Sequence, residues 1–170
     1  FKKGVGQIKE DSDPEIVSDF YAILGDILHE KGKASEAFAA YDSCLKWKAD
    51  NYGALNNYAY YLSVANKDLP RAEQMSYKTI KAEPNNATYL DTYAWILFQQ
   101  KRYEEAKIYI DQAIRSDSTL TGVVKEHAGD IYAMTGDIDK ALEFWQQSLK
   151  GGNQSAVLKK KIQLKKYVAK

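Results

Sequence analysis

Small residues return at a fixed interval along this chain, and that interval constrains the fold more than any single motif. Gly25, Ala59, Ala94 and Gly129 follow one another at steps of 34, 35 and 35 residues, and Ala37, Ala72, Ala106 and Ala141 at 35, 34 and 35. Two series in phase over four copies describe one structural unit built four times. Such arrays bury each unit's apolar face against its neighbours. Within a copy the apolar residues return at helical spacing: Tyr103, Ala106, Ile110 and Ala113 stand at i, i+3, i+7 and i+10 in 103–115, and 87–99 reads as the helix before it. Gly or Ala at the recurrent positions lets two helix backbones approach, where a larger side chain would overpack by about 1–3 kcal/mol. Breaks at Lys31-Gly32-Lys33, Asn66-Lys67-Asp68-Leu69-Pro70, Gln100-Lys101 and Thr135-Gly136-Asp137 separate the helices. Asp13-Pro14 reads as an N-cap followed by a first-turn proline, and Gly151-Gly152 as a helix end.

Around the first series the chain reads Tyr21-x2-Leu24-Gly25-x2-Leu28, Leu55-x2-Tyr58-Ala59-x2-Leu62, Leu90-x2-Tyr93-Ala94-x2-Leu97 and Ala128-Gly129-x2-Tyr132. Around the second it reads Ala37-x3-Tyr41, Ala72-x3-Ser76, Ala106-x3-Ile110 and Ala141-x3-Trp145. This resembles the tetratricopeptide repeat, W-x2-L-G-x2-Y…A-x3-F…P with a period of about 34 residues. The resemblance covers residues 14–150, although the closing proline is present only as Pro84. It implies an all-α fold: a right-handed α-α superhelix of about four helix-turn-helix repeats plus a C-terminal capping helix. The units would be 14–51, 52–86, 87–121 and 122–152. Residues 1–13 would be the remnant of an upstream repeat, and 153–170 a basic capping helix, read as helical over 155–170. The absent Met and the opening Phe1-Lys2-Lys3 suggest a trimmed or processed chain. Asn56-Asn57-Tyr58-Ala59-Tyr60, Pro84-Asn85-Asn86-Ala87, Leu90-Asp91-Thr92-Tyr93-Ala94-Trp95 and Arg102-Tyr103-Glu104-Glu105-Ala106 are similar to the C-terminal repeats of bacterial envelope-associated members. That similarity implies a bacterial adaptor, periplasmic or membrane-peripheral, with a cytoplasmic location as the alternative.

The composition excludes other classes. With 45% hydrophobic residues and a net charge of +1, the 170-residue chain has material for a core and no global field to gather nucleic acid. No apolar run approaches the ~18 residues of a membrane span. Chemistry is sparse. His29 and His127 stand far apart, Cys44 has no neighbouring histidine, and Gly4-Val5-Gly6 lacks the rest of a phosphate loop. Asn86-Ala87-Thr88 and Asn153-Gln154-Ser155 match the glycosylation triplet, which is frequent by chance. The expectation is a non-enzymatic chain with no cofactor and no metal.

By the family's geometry, positions 2, 5, 9, 12 and 13 of each repeat's first helix line a concave groove. Among those twenty positions six are acidic and none is Lys or Arg. Family members that grip a C-terminal carboxylate use Lys, Arg and Asn there, and Asn56, with Asn57 beside it, is the one residue of that type. The candidate partner-binding residues are Asp26, Asn56, Tyr60, Asp91, Trp95, Phe98, Glu126, Asp130 and Met134. They offer apolar contact beside carboxylates, a surface suited to an extended or helical protein segment with apolar and Lys/Arg anchors. On this reading Tyr60→Ala with Trp95→Ala loses a partner at nearly unchanged melting. The plainer alternative also stands: the aromatics pack under a neighbouring helix and the acids answer a helix dipole.

Other functional readings remain at this stage. The chain could be the docking or regulatory region of a larger enzyme, or it could form homo-oligomers through a terminal face. Its lysine-rich end could dock on anionic lipid, nucleic acid or an acidic partner. Residues 159–170 hold six lysines and no acid, and the residues before them hold 18 basic and 23 acidic side chains. The near-neutral total is the sum of an acidic body and a basic end.

Overall fold

Two short helices flank four helical hairpins. In the computed structural model, which describes residues 2–120 and 122–170, α1 (Lys2–Val5) is followed by α2 (Pro14–Glu30), α3 (Ala34–Trp47), α4 (Tyr52–Val64), α5 (Leu69–Ala82) and α6 (Ala87–Gln99). Then come α7 (Tyr103–Ser116), α8 (Val123–Met134), α9 (Ile138–Lys150) and α10 (Leu158–Leu164). No strand occurs among the described residues. Phe1, read above as part of the upstream remnant, and Thr121, at the end of the third unit, lie outside them. The remnant is helical only over Lys2–Val5 and turns before α2.

Contacts follow the chain order. Each hairpin closes on itself (α2 on α3, α4 on α5, α6 on α7, α8 on α9), and each second helix touches the next first helix. The first helices α2, α4, α6 and α8 also meet in succession, forming the wall that carries the predicted groove positions. This is the all-α repeat solenoid expected from the spacing.

Local chemistry sets the boundaries. The Asp13 carboxylate accepts from the Glu15 amide at 2.9 Å, capping α2 just before Pro14. Asn51 and Asn86 cap α4 and α6 in the same way. Every turn inside a hairpin has a residue with positive φ at the same place, Gly32 (76°), Asn66 (53°), Lys101 (63°) and Gly136 (93°), and the second turn adds Asp68 (45°) just before α5. In each, the next amide reaches back to the helix, as Lys33 to Leu28, Lys67 to Leu62, Arg102 to Leu97 and Asp137 to Tyr132. The turns therefore share the repeat period. Lys101 holds a conformation that disfavours a Cβ, so Lys101→Gly is expected to raise stability by up to about 1 kcal/mol, read as a higher Tm.

The two series of small residues meet inside the hairpins. Ala37, Ala72, Ala106 and Ala141 are fully buried, as are Ala59 and Ala94. The two glycines face the two largest partners. A Cβ on Gly25 would stand 2.6 Å from the Tyr41 ring, and one on Gly129 2.3 Å from the Trp145 indole. Ala37, Tyr41, Leu55, Tyr58 and Met75 belong to a first core, and Leu90, Leu97, Ile110, Ile131 and Trp145 to a second. The second core extends to Leu158 of α10. The C-terminal segment is less helical than expected over 155–170: α10 ends at Leu164, and Lys165 turns into the left-handed region at φ 54°.

Candidate partner-binding groove

Asp130 of α8 sits at the centre of a buried polar cluster at the C-terminal end of the wall. Lys161, from α10, is 1% exposed, and its ammonium lies 2.6 Å from Glu126 Oε2 and 2.9 Å from Asp130 Oδ1. Glu126 also accepts from Asn153 Nδ2 at 3.0 Å and from the Ser155 hydroxyl at 3.3 Å. Trp145 Nε1 donates to Asp130 Oδ1 at 3.0 Å. Burial would raise the Glu126 carboxyl, but the Lys161 ammonium and the Asn153 amide outweigh it and hold the group below its ordinary range. Asp130 is more deeply enclosed, and burial pushes it up to about 6 although Lys161 pulls the other way.

One repeat earlier, Asp91 Oδ1 contacts His127 Nδ1 at 2.9 Å, both residues being buried. The His127 ring stacks on Trp95 at 4.0 Å, and Trp95 stacks on Phe98 at 4.5 Å, giving a continuous run of three rings. Tyr60 stands at the edge of this run, 6.1 Å from the His127 ring. Burial, aided by the Asp91 charge, lifts the Tyr60 phenol to about 12. Its hydroxyl is therefore protonated at neutral pH, and among the described residues it makes no hydrogen bond. Tyr60, Val64, Trp95 and Gln99 form one side of a cavity of about 200 Å³ whose other side is the C-terminal segment. Beyond it the Tyr167 ring meets the Phe98 face edge-on at 5.2 Å.

A family model described as a tetratricopeptide repeat-like domain matches residues 48–167, more than half of the chain. The chain is a tetratricopeptide repeat protein. A model of the single tetratricopeptide repeat matches residues 18–51. Stress-induced-phosphoprotein 1 of Caenorhabditis elegans is 25% identical over 120 residues, spanning 67% of this chain and 36% of that protein. The solved structure of Pseudomonas aeruginosa pilF superposes with a TM-score of 0.70 at 21% identity, covering 86% of this chain and 65% of that one. A tetratricopeptide repeat protein from Parabacteroides merdae superposes with a TM-score of 0.71 at 18% identity, covering 92% and 60%. YrrB, described as a tetratricopeptide repeat protein with an unusual peptide-binding site, gives 0.65 at 18% identity, covering 96% and 80%. The chain thus spans about a third of the nematode relative and under two thirds of the first two structures. At these identities the structural likeness shows the fold alone; the family match is what marks the chain as a protein-interaction scaffold in general terms.

In this tetratricopeptide repeat protein the nine candidate residues do not form one surface. Tyr60, Trp95, Glu126 and Asp130 converge on the cavity, Phe98 supports Trp95, and Asp91 joins through His127. Asp26 lies in the first repeat, where it accepts from the Tyr41 hydroxyl and from Asn57 Nδ2. Asn56 is buried; its Nδ2 donates to Asn57 Oδ1 at 3.4 Å, and its Oδ1 has no partner among the described residues. Met134 sits apart, beside Lys101 and Arg102 of the preceding repeat's turn.

Three contributors were missing from the sequence-based set: His127, Lys161 and Tyr167. His127 and Asn57 occupy position 6 of their repeats, and each ties a groove acid of the preceding repeat. Lys161 does the same from α10 for two acids at once. The signal was present as spacing, because Lys161 follows Glu126 by 35 residues, one repeat period. The acids are thus largely ties between successive units. Among the described residues no group of three or more His, Cys, Asp or Glu is placed to hold a metal ion. No described helix is long and apolar enough to cross a membrane. Cys44 is fully buried beside the Ser18 hydroxyl at 3.2 Å, and burial raises its thiol, so little thiolate is present at neutral pH.

Proposed function

We propose that this scaffold binds an extended or helical segment of a partner protein along the Tyr60–Trp95 wall. The observation that carries the reading is the ring run Phe98–Trp95–His127 beside an open cavity, with the Tyr60 hydroxyl free to bond. Aromatic side chains with a polar end are what interfaces favour. Three carboxylates, Asp91, Glu126 and Asp130, stand at this region against two ammonium groups, the buried Lys161 and the exposed Lys170 of the C-terminal segment, so once that segment is set aside a partner carrying Lys or Arg meets a favourable field. Its cations act through that field, because Glu126 and Asp130 are already taken by Lys161.

The burial also changes which variants test the proposal. Trp95 and Phe98 are 8% and 3% exposed, so truncating either lowers stability and confounds a binding assay. This corrects the sequence-based expectation that Trp95→Ala leaves melting unchanged. Tyr60→Ala with Val64→Glu is the better pair, since Tyr60 is half-buried and Val64 is 53% exposed. The pair is expected to lose at least tenfold in affinity for a partner recovered with the parent protein, with Tm within a few degrees of the parent. Retained binding would remove the wall from the interface.

A second reading is favoured by Lys159, Lys160, Lys165, Lys166 and Lys170, which are all exposed at one end of the array. They would hold an anionic surface by charge alone. Binding to phosphatidylserine vesicles should then fall steeply with salt and vanish when the first four are changed to Gln. A flat salt response removes this reading.

A further inference from the structure

We propose that residues 165–170 are a displaceable strap over the groove, and that the partner replacing them is a basic segment with an aromatic anchor. The proposal rests on the groove reading above and names its occupant. Two parts of the C-terminal segment are held very differently. Leu158 is fully buried and Lys161 almost so, and Lys161 bridges two carboxylates; α10 is part of the fold. Beyond Leu164 the helix stops. The chain then runs back so that Tyr167, Val168, Ala169 and Lys170 face Tyr60 and Trp95. Among the described residues no side chain of 165–170 makes a hydrogen bond or an ion pair. The Lys165 and Lys166 amides both donate to the Lys161 carbonyl, and beyond that turn the strap is held by the Tyr167 ring, edge-on to Phe98 and 5.3 Å from the Lys161 ammonium, with the Lys170 charge acting on Glu126. The strap leaves the cavity of about 200 Å³ against the wall unfilled. A segment held by its first backbone turn and one ring, and packed incompletely, is among the first parts of a fold to open.

The strap also shows what the groove accepts. Lys165-Lys166-Tyr167-Val168-Ala169-Lys170 carries an aromatic ring among three exposed lysines, and of these Lys170 lines the cavity with Glu126 and Asp130. A protein segment of the same chemistry competes for the same place. While the strap is closed, the partner's apparent affinity is reduced by the fraction of molecules that are open.

The test uses the 170-residue protein carrying Tyr167→Ala, which keeps α10, and a second protein ending at Leu164. The probe is a fluorescein-labelled peptide of residues 163–170, followed by anisotropy. Both proteins are expected to bind it at least tenfold more tightly than the parent, and the peptide carrying Tyr167→Ala should not bind. Equal affinity of the parent and both variants overturns the strap and leaves the groove reading standing. Equal binding of the two peptides overturns the aromatic anchor. If the shortened protein does not fold, Tyr167→Ala decides alone. If no protein binds the peptide, the proposal is overturned, and amide exchange at 166–169 in the parent says how: protected amides make the strap a fixed part of the fold, exchanging amides mean that it never closes. The groove reading is judged separately by the Tyr60/Val64 pair.

Discussion

Lys161→Met is expected to destabilise the protein by about 3–5 kcal/mol, because it leaves two buried carboxylates without their cation. Glu126 and Asp130 are 3% and 2% exposed, and the single ammonium lies within 3 Å of both. Methionine keeps the length of the side chain and removes the charge, so packing around Leu158 changes little. The protein has one escape: α10 can lift away and let water reach the acids, so amide exchange in Leu158–Leu164 should rise in the variant. The pH dependence gives the sign. Without Lys161, burial and mutual repulsion raise both carboxyl pKa values above their unfolded values near 4. The folded state then binds more protons than the unfolded one, and stability falls as pH rises through the window between about 4 and the raised values. The deficit should therefore be largest at pH 7 and shrink towards pH 5. In the parent protein the two acids oppose each other. Glu126, held low, contributes stability that is lost as pH falls through its depressed value, whereas Asp130, raised to about 6, contributes stability that is lost as pH rises through 6. Adding Glu126→Gln and Asp130→Asn to Lys161→Met should recover most of the loss in urea unfolding. Parent-like stability of Lys161→Met at pH 7 would show that α10 is not bound through this pair.

Particular residues show how much of this was legible in the sequence. Position in the array was: the small residues and the Asp13-Pro14 start fall where they were expected, as do the breaks after each first helix, except that Leu69 and Pro70, read as part of the second break, already open α5, where a first-turn proline is tolerated. The wall was legible in part. Tyr60 and Trp95 do face the cavity, since helical register alone decides which side of α4 and α6 they leave from. What the acids do was not legible. Asp26, Asp91, Glu126 and Asp130 bond to Asn57, His127 and Lys161 of the following unit, so their role depends on packing between units. Composition counted them as free charge. The end of α10 was also hidden. Six lysines among apolar residues suit a helix of any length, whereas the turn at Lys165 accompanies the return of Tyr167 to Phe98, a contact between distant parts of the chain.

Gly129→Ala is expected to cost about 2–3 kcal/mol, although alanine is the better helix former by about 1 kcal/mol. The added Cβ would lie 2.3 Å from Trp145 Cδ1 and Nε1, and Trp145 is fully buried with its indole N–H on Asp130. The ring cannot move without breaking that bond or reopening the core, so α8 and α9 must separate. The other repeats show the compatible pairings. Ala59 and Ala94 occupy the same position where the facing residue is Ser76 or Ile110, while Gly25 and Gly129 face Tyr41 and Trp145. Trp145→Ile alone should also destabilise, through the cavity it leaves and the donor that Asp130 loses. Combining it with Gly129→Ala recreates the Ala94–Ile110 pair, and the double variant should be at least about 1 kcal/mol more stable than the sum of the single losses. Urea unfolding of all four proteins closes the cycle, with amide exchange in α8 and α9 confirming that the change is local. Additive losses would mean that the small position answers to helix propensity or to some other neighbour, and not to the size of the residue facing it.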